Sequence, residues 1–141
     1  MDDIIQELRA LRERVTGVQG CVIAGVDGLL LMWDTAGGQE PHDLAALAAA
    51  AVGVGRQAGL ALRHGGFRET TIHSLRGYFT VYAVGESALL AVVGDDGMNV
   101  ARLHLEARTV APRLAAMLQA TRPPQPELPE LPQLARGHHA M

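Results

Sequence analysis

Residues 67–93 read FRETTIHSLRGYFTVYAVGESALLAVV, three β-prone runs separated by two short turn signals. The middle run alternates. Phe79, Val81 and Ala83 share one face and Tyr78, Thr80 and Tyr82 the other, as the period of two in a strand requires. Arg76-Gly77 and Gly85-Glu86-Ser87 supply the turns, so the three runs read as an antiparallel meander. ALLAVV is apolar throughout and has the pattern of a central strand, whereas FRETTIHSL is polar on both faces and fits a sheet edge. Exposed edges recruit further strands unless guarded, and residues 67–75 contain no Pro or Lys and only Arg68 and Glu69 as charges. This edge is expected to pair with its own copy across a two-fold axis.

Upstream lies PHDLAALAAAAVGVGRQAGLAL (residues 41–62), with no charged or polar side chain between Leu44 and Gly55. Pro41 suits the first turn of a helix, and Gly65-Gly66 is a stop signal. Glycine inside a helix costs about 1 kcal/mol relative to alanine. The glycines between Gly53 and Gly59 therefore imply close approach by another element. The helix is long enough to span a membrane. Arg56 and Gln57 interrupt it, however, and Ala and Gly contribute little transfer energy, so insertion is not expected. A helix apolar all round has to be covered on two sides. One cover is the sheet; the other is most simply a second copy of the chain.

Further out, Cys21–Ala24 and Leu29–Trp33 flank Asp27-Gly28 and predict a hairpin. Its second strand, apolar at every position, is expected to be covered on both faces. Ile4, Leu8, Leu11 and Val15 form the stripe of a first helix that stops near Gly17. Val100, Leu103, Ala107, Val110, Leu114 and Met117 form that of a last helix from about Asn99 to Ala120. The order α-β-β-α-β-β-β-α describes an α+β domain over residues 1–120. Residues 121–141 hold five of the seven prolines. Pro123, Pro126, Pro129 and Pro132 recur every third residue, as do Leu128, Leu131 and Leu134. This is the composition of an extended or disordered tail, or of a docking peptide.

The net charge of −3 comes with no basic stripe, which argues against nucleic acid or anionic membrane as a partner. WDTAGGQE (residues 33–40) is one glycine away from a loop of Ras-type GTPases. The chain has no lysine, so it holds neither a phosphate-binding G-x-x-x-x-G-K-[ST] loop nor a guanine-reading N-K-x-D motif. The loop is a coincidence. Gly53 to Gly59 lies in a helix and not at a strand–helix turn, so it is no dinucleotide fingerprint. His42, His64, His73 and His104 stand on separate elements, and GDDG (94–97) lacks a calcium-loop ladder and reads as a solvated turn. Cys21, beside Val22 and Ile23, reads as a buried small hydrophobe. No catalytic, cofactor-binding or metal-ligating residues stand out, and the acidic N-terminus gives a cytoplasmic protein as the expectation.

The element order resembles the Roadblock/LC7 family, in particular its bacterial, MglB-like members. The resemblance rests on GVQGCVIAGVDGLLL after the first helix, on the meander, and on NVARLHLEARTVAPRLAAML in the last helix, and covers roughly residues 4–118. It implies a three-layer α/β/α sandwich: a five-stranded antiparallel sheet, the first and last helices on one face, the middle helix on the other. It also implies a homodimer joined through the middle helix and the meander's first strand. Carried onto this sequence, the interface comprises Ala46, Ala50, Gly53 and Gln57 with Arg68, Thr70, Ile72 and Ser74. Bacterial members bind small Ras-like GTPases and can accelerate hydrolysis; others are signalling scaffolds. The resemblance thus implies a non-enzymatic regulator or adaptor of such a GTPase. It carries over no contact residue; if an arginine enters the partner's site, Arg56 and Arg63 are the candidates by position alone. A dimeric scaffold for another signalling protein, or a sensor of a small molecule in the sheet–helix groove, are the alternatives.

Overall fold

In the computed structural model, which describes residues 2–121, these periodicities become eight elements. They are α1 (Asp2–Arg14), β1 (Val18–Gly25), β2 (Leu30–Thr35), α2 (Pro41–Ala61), β3 (Glu69–Ser74), β4 (Gly77–Val84), β5 (Ala88–Asp95) and α3 (Val100–Thr121). Thr121 closes α3. The rest of the expected proline-rich tail, 122–141, lies outside the described residues.

The strands form one sheet in the order β2-β1-β5-β4-β3, antiparallel throughout. The all-apolar ALLAVV run is the central strand β5, and the polar β3 is an edge. Alternation along each strand divides the core into two layers. On one face Cys21, Ile23, Tyr82 and Leu90 pack against Leu8 and Leu11 of α1 and Leu103 and Leu114 of α3. On the other, Val22, Val81 and Leu89 pack against Leu44, Ala48 and Val52 of α2. This is the three-layer α+β arrangement, with α1 and α3 opposite α2.

The expectation of two-sided cover for β2 is corrected. β5 occupies the far side of β1, so the hairpin leaves β2 at the other edge of the sheet. Ile23 pairs with Met32 but Ala24 with Leu30, making Leu31 an extra, bulged residue. Met32 is buried, while Leu29, Leu31 and Trp33 are exposed.

Polar contacts tie the layers together. The Arg12 guanidinium donates from Nε to Asp34 Oδ2 at 2.7 Å, joining α1 to β2. At the opposite edge the Tyr82 hydroxyl meets His104 Nδ1 at 2.7 Å, and Arg108 of α3 pairs with Glu69 of β3.

Candidate interaction surface

α2 begins with Glu40, whose carboxylate accepts the His42 N–H at 3.1 Å, and Pro41 in its first turn. Its inward side, Leu44, Ala45, Ala48 and Val52, is buried on the sheet. Removing this helix would uncover a whole core layer, so α2 is a structural layer of the domain, although its length and mean hydropathy of 1.4 also suit a membrane span. Its outward side is the unusual feature. Ala46, Ala50, Gly53 and Gln57 are all exposed, in line at i, i+4, i+7 and i+11. Beside them run Leu47, 58% exposed, and Val54, 73% exposed, with Ala58 and Ala61 continuing the stripe. The sequence reading missed this second row. Its signal was the spacing of four and seven residues, one position on from Ala46 and Gly53.

The glycines of α2 divide by what surrounds them. A Cβ on Gly55 would strike the Phe67 ring, and one on Gly59 the Gly65 carbonyl oxygen. Both therefore have the intramolecular close approach that the sequence called for. Gly53 has none: nothing outside its own stretch of helix lies within 4 Å of a Cβ built there.

At the β3 edge, Thr70 pairs with Val81 and Ile72 with Phe79. Val81 and Phe79 belong to the layer under α2, so Arg68, Thr70, Ile72 and Ser74 project on the same side of the sheet as α2. Arg68 and Ser74 are exposed, Thr70 is half-buried, and Ile72 is 47% exposed. The Arg68 carbonyl accepts the Ala83 N–H at 2.8 Å. By the alternation of an antiparallel ladder, the backbone groups of Glu69, Thr71 and His73 point away from β4, toward the open edge. All eight residues expected at the interface thus lie on one side of the sheet, on an apolar helix face and along the edge strand β3, whose outer side has no partner strand among the described residues.

Arg56 and Arg63 line a groove of about 860 Å³ between the C-terminal half of α2, Phe67 and the β4–β5 turn. The Arg56 guanidinium donates to the Glu86 carbonyl at 3.1 Å. The helix stops earlier than the expected Gly65-Gly66 signal. His64 N–H bonds to the Gly59 carbonyl and Arg63 N–H to that of Leu60, the paired bonds of a Schellman cap. Arg63 therefore takes the left-handed position, with φ 58°, where glycine is usual.

The remaining polar motifs are engaged locally. Asp34 of WDTAGGQE lies in β2, not in the loop, and its carboxylate is held by Arg12. Asp95 of GDDG accepts the Gly97 N–H at 2.9 Å within its own turn. Cys21 is fully buried, and burial pushes its thiol up to about 12. Among the described residues no three His, Cys, Asp or Glu side chains converge as a metal-binding group.

A model of the Roadblock/LC7 domain family matches residues 4–94. An uncharacterised protein of Methanocaldococcus jannaschii is 26% identical over 117 residues, covering 83% of this chain and 95% of that protein. Among solved structures, a Roadblock/LC7 domain from Streptomyces avermitilis has a TM-score of 0.76 at 22% identity, covering 82% of this chain and 97% of that one. The gliding protein MglB from Thermus thermophilus has a TM-score of 0.77 at 19% identity, covering 85% and 91%. At these identities the structural likeness is one of fold.

Proposed function

This chain belongs to the Roadblock/LC7 domain family, and on that premise we propose that it acts as a homodimeric regulator or adaptor of a small Ras-like GTPase, without chemistry of its own. The observation that carries the reading is the outward face of α2. An apolar helix face with a glycine that nothing in its own chain requires fits a second helix in close contact. Two copies related by a two-fold axis would cover it by packing α2 on α2 and β3 beside β3, with Glu69, Thr71 and His73 supplying the edge hydrogen bonds.

The GTPase part of the reading comes from the family resemblance, and the groove with Arg56 and Arg63 supports it locally. Two guanidiniums beside apolar walls suit a partner segment with a carboxylate or phosphate. Arg63 adds a second argument. A non-glycine residue held left-handed costs about 1–2 kcal/mol, and such strain tends to collect where function requires it. Pull-down of candidate GTPases loaded with GTP or GDP, followed by a hydrolysis assay, tests the proposal. Nucleotide-dependent capture supports it, and capture independent of nucleotide, or none, rejects it. The same groove favours the alternative of a small-ligand sensor, which a thermal-shift screen with anionic metabolites would reveal.

A further inference from the structure

On the side of the sheet away from α2, β3 presents Glu69, Thr71 and His73 in a row. These are also the residues whose backbone groups point to the open edge. Each side chain is held from its own chain. Arg108 Nε of α3 donates to Glu69 Oε2 at 3.3 Å, and His104 Nδ1 stands 4.0 Å from Glu69 Oε1. Thr71 Oγ1 meets Thr80 Oγ1 at 3.3 Å. The exposed His73 ring is stacked on Tyr78, with 4.2 Å between centroids and 8° between planes.

Acid, threonine and histidine in alternate positions make a row that is complementary to itself when reversed. An antiparallel copy centred on Thr71 sets Glu69 opposite the partner's His73 and His73 opposite the partner's Glu69. All three outward-pointing residues then find a ladder partner. A slip of one residue would set this face against the α2 face, so the competing registers slip by two. One of them sets Glu69 opposite the partner's Leu75, in the β3–β4 turn, and Arg68 opposite the partner's Arg76, a like charge. The other sets His73 opposite the partner's Phe67, ahead of the strand. Neither sets an acid opposite a base.

We propose that β3 pairs with the β3 of a second copy in the register centred on Thr71, with the partner's His73 donating to the Glu69 carboxylate that Arg108 already holds. A carboxylate has about four lone-pair sites, so Arg108 does not saturate it. The inference rests on the self-association proposed above. It adds which residues meet at the seam and why the edge selects its own copy: only a strand with the same row at the same spacing forms both pairs.

Thr70 and Ile72, on the α2 side, report the register. Centred on Thr71, Thr70 lies opposite the partner's Ile72 in a non-hydrogen-bonded pair, with Cα atoms about 4.5 Å apart, a separation that a disulfide spans. Chains carrying Thr70→Cys and Ile72→Cys, co-expressed and oxidised in the folded state, are expected to cross-link one to the other, and neither variant to itself. Cys21 is fully buried and takes no part. Self-cross-linking of either variant would reveal a slipped register and overturn the proposal while leaving self-association standing. A mass of two chains with no cross-link in any combination would overturn the β3 seam, and a monomer would overturn self-association itself. The contact is read separately from the dissociation constant. His73→Ala is expected to raise it about fivefold in the native chain and to leave it unchanged in a Glu69→Ala chain. An equal loss in both backgrounds, or none in either, would contradict the Glu69–His73 pair.

Discussion

The carbonyl oxygen of Gly65 sits where a Cβ on Gly59 would have to be. The chain leaving α2 folds back over the helix, and His64 N–H bonds to the Gly59 carbonyl at 2.9 Å as it does so. Alanine at residue 59 gains about 1 kcal/mol of helix propensity but meets backbone that cannot step aside, and overpacking of this kind costs about 1–3 kcal/mol. Gly59→Ala is therefore expected to lower the unfolding free energy in a urea titration.

Arg63 gives the opposite sign. Its left-handed backbone, φ 58°, is one that glycine adopts freely. Arg63→Gly is expected to raise the unfolding free energy by about 1 kcal/mol while weakening capture of the GTPase partner. Stabilisation with undiminished capture would show that the arginine is not a contact.

The Arg108 hydrogen bond holds the Glu69 carboxyl below its ordinary value of 4.5, against the opposing effect of partial burial. A carboxyl with a depressed native value contributes stability above its unfolded value and loses it as pH falls through the native one. Glu69→Gln is expected to be less stable than the native chain at neutral pH. The difference should shrink below pH 4.5 and vanish in stronger acid. Arg108 is largely exposed, so solvent screening keeps the effect small. Urea titrations of both proteins across the acid range measure it.

Cys21 is enclosed between the sheet and the α1/α3 layer, and burial takes its thiol up to about 12. The thiolate is the reactive form. A thiol reagent at mildly alkaline pH is expected to leave the folded protein unmodified and to label one thiol per chain in denaturant. Rapid labelling of the native protein would contradict the burial.

Element order and layer assignment were legible because periodicity reports burial directly. The alternation of residues 78–83, the all-apolar ALLAVV run and the stripes of α1 and α3 each match their observed faces. β2 was misread for an equally physical reason. Unbroken apolarity indicates where water is unwelcome, not which element covers the strand, and Leu29, Leu31 and Trp33 lie on an edge that the domain leaves open. The end of α2 was also hidden, since an arginine occupies the position where a sequence reading looks for glycine. At the interaction surface the small residues Ala46, Ala50 and Gly53 were legible as a pattern. Leu47 and Val54 were not singled out, because in a helix apolar all round the sequence does not mark which leucine or valine faces outward.

The central claim is that α2 and β3 join two copies of the chain. Sedimentation or light scattering of the native protein and of Gly53→Glu tests it most directly. A Cβ at residue 53 meets nothing within 4 Å outside its own stretch of helix, and residue 53 is exposed, so the fold is expected to survive a glutamate there, as circular dichroism can verify. The account predicts the mass of two chains for the native protein and the 15.0 kDa of one chain for the variant. A monomeric native protein, or a folded variant that keeps the native mass, would contradict it.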